Sequence, residues 1–403
     1  MNLADAFTAL AIKEIAQVDI PRRGSNQHEL NGTSELRRFF KTAERLRTGI
    51  HWHYFADGKE VVSDDGSLTF YDAREKSAER TGRSEWRGYY TGDFLSVANP
   101  GDVLLLAKTH DGELHGMLFE AESNWLRSVL FLLKLRELTP LYRVIDRDAL
   151  KESEIQLAEQ LILDELGLAV PITSKPSDQD VMLKTFGKKI PNTKILAQFA
   201  RENVEVDLTD ADGTLVRWIE RETAFFYALE RVLVQERIDR GFESVEDFLE
   251  YSISIQQSRR SRMGLSLQHH LAALFSTKTL RFTAQARTEG KNRPDFIFPG
   301  EGEYRDANFN SDLLTMLGAK STVKERWRQI LVEADRIKNK HLCTLEPGIS
   351  KDQTEEMRRQ NVQLVLPANL HETYDPLQRT SIWSLNRFVE FVRKNQNSQI
   401  ECE

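Results

Sequence analysis

The segment PDFIFPGEGEYRDANFNSDLLTMLGAK, residues 294–320, decides the fold of the second half of the chain. It contains two apolar runs, residues 295–298 and 313–319, and each predicts a β-strand, because short apolar runs between turn residues are typical of buried strands. Asp295 begins the first strand, and Lys320 ends the next strand 25 residues later. Adjacent strands would bring this acid and this base together at one edge of a sheet.

A second acid follows in the next predicted element. Glu333 lies 13 residues beyond Lys320, inside a segment whose apolar spacing predicts a helix over residues 323–340. Two carboxylates can hold a hard divalent cation, and an ammonium can orient or activate the attacking water. The trio indicates Mg²⁺-dependent phosphodiester hydrolysis, with Asp295, Lys320 and Glu333 as catalytic residues and Asp295 and Glu333 as metal ligands.

The same three residues also have an ordinary structural interpretation. Asp295 would form a turn, Lys320 would lie in solvent at a strand end, and Glu333 would pair with a lysine or arginine on the helix surface. The position two before Lys320 is Gly318 and not an acid. The pattern alone leaves both interpretations open.

The rest of the second half predicts an α/β fold, a central mixed sheet flanked by helices. Apolar residues at helical spacing predict one helix around residues 215–233 and another around residues 267–275, and a final amphipathic helix begins near Trp383. Further strands are predicted at residues 282–286 and 362–366. Thr322 and Glu325 are spaced as a capping box before residues 323–340.

The first half has a different sequence pattern, short apolar runs separated by turn signals. This pattern predicts a mainly β domain folded as a meander or small barrel. Asp-Gly pairs at residues 57–58, 65–66 and 111–112 are hairpin signals, and the last lies between two apolar runs. A helix is predicted at residues 147–166. We predict an N-terminal domain over residues 1–168, a linker rich in proline and serine over residues 169–182, and a catalytic domain over residues 183–403.

Composition limits the class of protein. The chain has 403 residues, 40% hydrophobic and 29% charged, which suits a globular protein of two domains. Its two cysteines, Cys343 and Cys402, cannot build a disulfide framework or a cysteine-rich zinc site. We find no targeting segment and no apolar run long enough to span a bilayer, and we expect a cytoplasmic protein.

The charge is unevenly distributed along the chain. The formal net charge is −7, yet residues 255–340 carry sixteen Lys or Arg against nine Asp or Glu, a local net charge of +7. A basic island of this kind can form a phosphate-binding face for DNA. Ordinary unevenness of surface charge explains the same count equally well.

Residues 240–374 resemble the catalytic domain of EcoRII-type type II restriction endonucleases, whose core has the PD-(D/E)XK nuclease fold. The runs that carry the resemblance are SRMGLSL at residues 261–267, TEG at 288–290, RPDF at 293–296, KST at 320–322, KERWRQIL at 324–331 and EADRI at 333–337. In that family the acid two before the lysine is absent, and the second carboxylate comes from the next helix. The resemblance therefore implies that Glu333 supplies it.

The resemblance also implies how DNA is bound. It assigns base reading to Lys324, Glu325 and Arg326 and a DNA contact to Arg262, and it implies a short CC-GG type site, similar to CCWGG. Lysine and arginine can donate to guanine, and glutamate can accept from cytosine. Mg²⁺, a homodimer and a cognate DNA methyltransferase are implied as cofactor and partners.

Some residues depart from this pattern or match it only by position. Where the family often has a glutamate, this chain has Gln268, which puts a second metal site in doubt, and His269 and His270 follow it. The histidines could assist proton transfer or simply pack on a helix. The resemblance also implies that the central bases of the site flip out of the duplex and stack on arginine and aromatic side chains. The candidates for this stacking, chosen by position alone, are Arg217, Trp218 and Arg221.

The N-terminal half resembles the pseudo-barrel effector domain found in front of this nuclease core. Two of its segments combine basic, amide and aromatic side chains that suit a DNA groove. The candidate contacts are Arg23, Asn26 and His28 in one segment and Arg83, Trp86 and Arg87 in the other. Polar loops on a domain that binds something else are the alternative.

Three functions remain open, and the sequence favours the first, because Asp295, Lys320 and Glu333 are all present. The first is a Mg²⁺-dependent type II endonuclease whose N-terminal domain binds a second DNA site or restrains cleavage. The second is a nuclease that depends on methylated cytosine. The third is a DNA-binding regulator that does not cleave.

Overall fold

The computed structural model divides into two compact units, Met1–Pro171 and Ile172–Glu403. It describes residues 3–5, 7–21, 28–42, 44–57, 59, 61–75, 84–92, 94–135, 138–151, 176–290, 292–321, 323 and 326–400. The predicted linker, residues 169–182, lies outside the described residues up to residue 175. From residue 176 onward it is helical and part of the second unit.

The first unit contains an eight-stranded sheet, which confirms the predicted mainly β fold. Its strands are β1 (Phe7–Glu14), β2 (Glu29–Gly32), β3 (Leu46–Phe55), β4 (Val62–Asp72), β5 (Trp86–Tyr90), β6 (Val103–Thr109), β7 (Leu114–Phe119) and β8 (Arg143–Asp146). Its α-helices are α1 (Ser34–Phe40), α2 (Asn124–Leu132) and α3 (Arg147–Lys151). The strand order is β2-β5-β4-β3-β7-β6-β1-β8, and only the β3–β7 pair among these neighbours is parallel.

Side chains on the two faces of this sheet form two apolar clusters. Strand β3 contributes to both, because its successive side chains alternate between faces. Trp52 and Ile50 lie in one cluster, and Phe55 lies in the other. The sheet is therefore covered on both sides.

The predicted hairpins have different outcomes. Asp111 and Gly112 do connect the antiparallel strands β6 and β7. The hairpin predicted at Asp65-Gly66 is wrong, because both residues lie inside β4. A Cβ on Gly66 would lie 2.9 Å from the carbonyl oxygen of Thr91, so this glycine allows the backbones to approach closely instead of making a turn. The predicted helix at residues 147–166 begins as α3, and its remainder lies outside the described residues.

The second unit has a five-stranded mixed sheet with flanking helices, as the sequence predicts. Its strands are β9 (Thr283–Ala284), β10 (Phe296–Phe298), β11 (Thr315–Lys320), β12 (Lys340–Thr344) and β13 (Val362–Val365). Its α-helices are α4 (Pro176–Phe186), α5 (Thr193–Glu202), α6 (Ala211–Arg240), α7 (Val245–Thr277), α8 (Glu301–Arg305), α9 (Lys351–Arg359), α10 (Pro376–Arg379) and α11 (Leu385–Ile400). The order is β13-β12-β11-β10-β9. Strands β11 to β13 run parallel, and β9 to β11 run antiparallel.

Local sequence explains the two long helices, α6 and α7. Asp210 caps the start of α6 by accepting a hydrogen bond from the backbone N–H of Asp212, and Gly241 ends it with a φ of 78°, which glycine adopts without strain. Ser244 then caps α7. No helix among these described ranges is both long and apolar enough to cross a membrane.

The helix predicted over residues 323–340 is wrong in its length. The described part forms a seven-residue 3₁₀ helix, Arg326–Val332, and the chain then turns through Ala334, whose φ is 53°. The apolar spacing is nevertheless used, since Trp327, Ile330 and Ile337 are buried. The chain has to reverse here because Lys340 already begins β12, so tertiary packing overrides the helical preference. Thr322 and Glu325, the proposed capping box, lie outside the described residues.

Candidate active site

Asp295 lies one residue before β10 and is almost fully buried, with 5% of its surface exposed. Its Oδ2 accepts hydrogen bonds from the backbone N–H of Ala319 at 2.7 Å and from Nζ of Lys320 at 3.1 Å. Both donors lie at the end of β11, which pairs with β10. The sheet register therefore brings the predicted acid and base into direct contact.

The second oxygen of Asp295 has a different set of partners. Oδ1 accepts hydrogen bonds from Nε2 of Gln268 on α7 and from Nε2 of Gln285 after β9, each at 2.8 Å. Gln285 also donates its backbone N–H to the carbonyl oxygen of Asp295 at 3.0 Å. Its φ is 51°, a left-handed conformation that costs about 1–2 kcal/mol in a residue other than glycine. Sequence reasoning missed Gln285, because no local motif marks it.

Glu333 follows the 3₁₀ helix, and the turn that carries it is held from two sides. Nδ2 of Asn292 donates to the carbonyl oxygen of Val332 at 2.6 Å. The buried ammonium of Lys340 donates to the carbonyl oxygens of Glu333 and Ala334. These contacts thus hold the main chain at Glu333, although it is not part of a regular helix.

The electrostatic surroundings of Glu333 connect it to the other two residues. Burial raises its pKa, the positive charge of Lys320 opposes this, and the negative charge of Asp295 adds to it. Oε2 of Glu333 is buried and has no hydrogen-bond partner among the described residues. An orphaned anionic oxygen of this kind is costly unless a cation approaches it.

These observations fit a divalent cation between Asp295 and Glu333. Carboxylate oxygens are the ligands that hard cations prefer, and Lys320 already places a positive charge against Oδ2 of Asp295. No cluster of three or more His, Cys, Asp or Glu with metal-binding geometry occurs among the described residues. Among the described residues the candidate cation site is thus built from the carboxylates of Asp295 and Glu333.

Gly318 explains why no acid precedes the lysine by two positions. A Cβ on Gly318 would lie 2.8 Å from Cγ2 of the buried Ile330, so a larger side chain has no room there. Ile330 belongs to the 3₁₀ helix that leads to Glu333. The same close packing that excludes an acid from the strand brings the turn with Glu333 up to it.

Arg262, the predicted DNA contact on α7, is paired within the protein. Its side chain is 10% exposed and forms an ion pair of 2.6 Å with the buried carboxylate of Glu222. The guanidinium also lies over the ring of Phe226, at 3.9 Å from the centroid. In the protein without DNA, Arg262 therefore neutralises a buried charge between α6 and α7, and its contact with DNA stays a prediction.

Glu222 is the centre of a buried polar network. It also accepts hydrogen bonds from Oγ of Ser266 at 2.6 Å and from Nε2 of His270 at 2.8 Å. Although burial opposes it, contacts with His270, Ser266 and Arg262 hold the pKa of Glu222 below its ordinary value. Burial lowers the pKa of His270, and Glu222 only partly offsets this. His270 therefore packs between helices, and the structure gives it no contact with Asp295.

The residues proposed for base stacking also form contacts within the protein. Trp218 is 4% exposed and stacks on His270 at a centroid distance of 5.9 Å, so it is a core residue and its predicted role is wrong. Arg221 pairs with Asp178 at 2.9 Å. Arg217 is exposed and donates to the carbonyl oxygen of Glu205.

The three residues predicted to read bases lie at and just before the start of the 3₁₀ helix. Lys324 and Glu325 lie outside the described residues, and of Arg326 only the backbone is described, at the start of the 3₁₀ helix. Their assignment to base reading stays a prediction.

In the first unit the structure describes three of the six predicted DNA contacts. Trp86 is 8% exposed and stacks on Phe70 at 5.1 Å in the core, so its prediction as a DNA contact is wrong. The indole packs into the core because Phe70 on the adjacent strand β4 provides an apolar surface for it. The side chain of Arg87 forms ion pairs of 2.6 Å with both Glu29 and Glu85. His28 packs edge-on against a core tyrosine. Arg23, Asn26 and Arg83 lie outside the described residues.

Comparison with known proteins identifies the class of domain. Residues 226–389 match the family model for the C-terminal domain of EcoRII. This segment contains both carboxylates and the lysine described above. Residues 226–389 are therefore similar to the EcoRII C-terminal domain, and the predicted resemblance is confirmed.

A characterised relative shares this part of the chain. The type II restriction enzyme EcoRII of Escherichia coli is 40% identical over 202 residues, which is 50% of this chain and 50% of that protein. The chain thus matches about half the length of this relative.

Two solved structures are similar at lower identity. Metal-depleted Ecl18kI in complex with uncleaved DNA is 20% identical with a TM-score of 0.43, covering 55% of this chain and 84% of that one. The complex of restriction endonuclease PspGI with substrate DNA is 16% identical with a TM-score of 0.44, covering 52% and 94%.

Proposed function

We propose that this protein is a type II site-specific deoxyribonuclease that uses Mg²⁺ to hydrolyse DNA phosphodiester bonds at a short CC-GG type site, similar to CCWGG. The observation that carries the proposal is the contact between Asp295 and Lys320, both of which shift the pKa of the buried Glu333, inside a segment that matches the EcoRII C-terminal family model. Asp295, Lys320 and Glu333 are the proposed catalytic residues. Asp295 and Glu333 would hold the cation.

The chain's own groups suit the reaction. A bound Mg²⁺ would lower the pKa of a water and polarise a phosphoryl oxygen. Asp295 is held by hydrogen bonds from main chain and side chains, so its carboxylate is oriented before any ligand arrives. Lys320 is partly exposed and can turn its ammonium from Asp295 toward the attacking water or the developing negative charge.

Double-stranded DNA is the proposed partner, and the charge distribution supports it. Residues 255–340, which contain Asp295, Lys320 and Glu333, carry a net charge of +7 in a chain of net charge −7. Lys324, Glu325 and Arg326 follow Lys320 directly, so base reading by them would be coupled to catalysis. We assign the first unit a role in binding effector DNA or in restraining cleavage, and a DNA methyltransferase as functional partner.

A homodimer is proposed because a type II enzyme that reads a palindrome-like site needs two equivalent active sites. Helix α7 supports this with exposed apolar side chains at Val245, Phe248 and Leu249. Analytical ultracentrifugation of the purified chain tests the assembly. A monomer at micromolar concentration, with and without DNA, would contradict it.

Digestion of plasmid DNA tests the activity. Purified protein is incubated with unmethylated plasmid and Mg²⁺, and the fragment ends are sequenced. We expect discrete fragments with ends at one short motif, no fragments with EDTA, and none from D295A, which should still bind DNA without metal.

Two other outcomes of the digestion would each replace the proposed function with another function. Cleavage of methylated plasmid only would identify a modification-dependent nuclease that reads methylated cytosine. Retention of DNA without any cleavage, under conditions where the protein is folded, would identify a non-cleaving DNA-binding regulator.

A further inference from the structure

The hydrogen bonds of Asp295 are divided unequally between its two oxygens. Oδ1 accepts two side-chain amides, from Gln268 and Gln285, each at 2.8 Å. Oδ2 accepts the N–H of Ala319 and the ammonium of Lys320. An ionised carboxylate has about four lone-pair positions, so the described contacts fill them all. A cation can reach Asp295 only by displacing a donor.

The donors differ in how easily they can leave. An ionised carboxylate only accepts hydrogen bonds, so each glutamine must present its NH₂ group to Oδ1. Gln285 is further tied to Asp295 through its backbone N–H at 3.0 Å. Lys320 stands on the Oδ2 side on a flexible side chain that is 24% accessible, and its contact of 3.1 Å is the longest of the four.

The donor on the Oδ2 side, Lys320, also influences the second carboxylate, Glu333. Among the charged neighbours that shift the pKa of Glu333, Lys320, which contacts Oδ2, has the largest effect and lowers it. Oε2 of Glu333 has no partner among the described residues. A cation that replaces Lys320 at Oδ2 would therefore gain a second anionic ligand at once.

We propose that each chain binds one divalent cation, at Oδ2 of Asp295 with Glu333, and that Gln268 and Gln285 exclude a second cation from Oδ1. The inference rests on the proposed nuclease site and goes beyond it by fixing the number of cations. The N–H groups of the two amides carry partial positive charge, so they repel a cation on that side. An amide oxygen could face the site only if the glutamine abandoned Asp295, and it would bring no negative charge.

Counting bound Mn²⁺ tests this inference. Free Mn²⁺ is measured by electron paramagnetic resonance in a titration of the full chain, and the binding lost in D295N is assigned to the site. We expect one Mn²⁺ per chain for the wild type and none at the site for E333Q. For Q268E, which adds a carboxylate beside Oδ1, we expect a second Mn²⁺ per chain.

Q256E is the matched control, because Gln256 lies exposed on the same helix and the substitution makes the same change of charge. It should keep one Mn²⁺ per chain. Two or zero site-bound Mn²⁺ in the wild type would overturn the inference, as would a count of one for a folded Q268E whose circular dichroism matches the wild type. If Q268E does not fold, the wild-type count still decides.

The inference and the proposed function can fail separately. A protein that cleaves plasmid but binds two Mn²⁺ at the site would refute the inference alone. A protein that binds one Mn²⁺ yet never cleaves DNA would refute the proposed function and leave the inference standing.

Discussion

Nζ of Lys320 lies 3.1 Å from Oδ2 of Asp295, the same oxygen that accepts the backbone N–H of the preceding residue, Ala319. The contact is made across two adjacent antiparallel strands, and the side chain of Lys320 is still partly exposed. The lysine therefore neutralises the buried aspartate while remaining able to move toward a substrate.

Removal of the ammonium should abolish most cleavage. We expect K320A to reduce the rate of plasmid cleavage by about 100- to 10,000-fold, the range in which a positioned proton-transfer group contributes. Time courses on agarose gels with Mg²⁺ measure this. K394A is the matched control, because Lys394 is exposed on α11, outside the basic region, and should cleave as the wild type does. Undiminished cleavage by K320A would refute the assigned role.

The buried charge of Glu333 should make stability depend on pH. Burial raises its folded-state pKa above the ordinary 4.5, so the folded protein holds this proton more tightly than the unfolded chain. Stability should then fall as the pH rises from 4.5 through the raised pKa, and the loss should remain at neutral pH.

E333Q removes this loss, so without metal it should melt at a higher temperature than the wild type at neutral pH. The difference should vanish below the ordinary pKa. Added Mg²⁺ should raise the melting temperature of the wild type and not that of E333Q. Differential scanning fluorimetry at several pH values measures both effects. A lower melting temperature for metal-free E333Q at neutral pH would contradict the prediction.

An acid placed on the strand should not replace Glu333. G318D forces a side chain against Ile330, and such overpacking costs about 1–3 kcal/mol. We expect G318D to lower the melting temperature and the double variant G318D/E333Q to remain inactive. G318A, which adds only one methyl group, should be less destabilised than G318D. Recovery of cleavage in the double variant would show that the strand position can hold the cation.

Arg262 should act on stability before DNA binding. R262A leaves Glu222 buried without its charged partner, and breaking a buried ion pair costs about 3–5 kcal/mol. Urea denaturation measures the free energy of unfolding. The double variant E222Q/R262M removes both charges and should recover part of the loss. If R262A is as stable as the wild type but binds DNA weakly, the result would support the DNA contact predicted from the sequence.

Trp86 should likewise behave as a core residue. W86A removes a buried indole that stacks on Phe70, and such a truncation costs about 3–5 kcal/mol. W86F should retain most of the stability of the first unit. Limited proteolysis followed by mass spectrometry distinguishes unfolding of this unit from that of the other. W86A that resists proteolysis but loses DNA binding would favour the original interpretation.

The errors at single residues share one cause. Trp86 and Trp218 are aromatic residues in sequence patterns that suit DNA contacts, yet each is buried against another ring, Phe70 or His270. Those neighbours come from other elements of the fold. Residue type therefore predicted the chemistry of these side chains and not the side of the protein they face.

The sequence by itself determined the α/β class of the second half, the strands on which Asp295 and Lys320 lie and the likeness to one nuclease family, because period, spacing and motif are local properties of the chain. Only the tertiary structure decided that Glu333 leaves its helix, that Gly318 must be small against Ile330 and that two glutamines hold Oδ1 of Asp295. Those features depend on packing between segments distant in the sequence, and local preference carries no information about such packing.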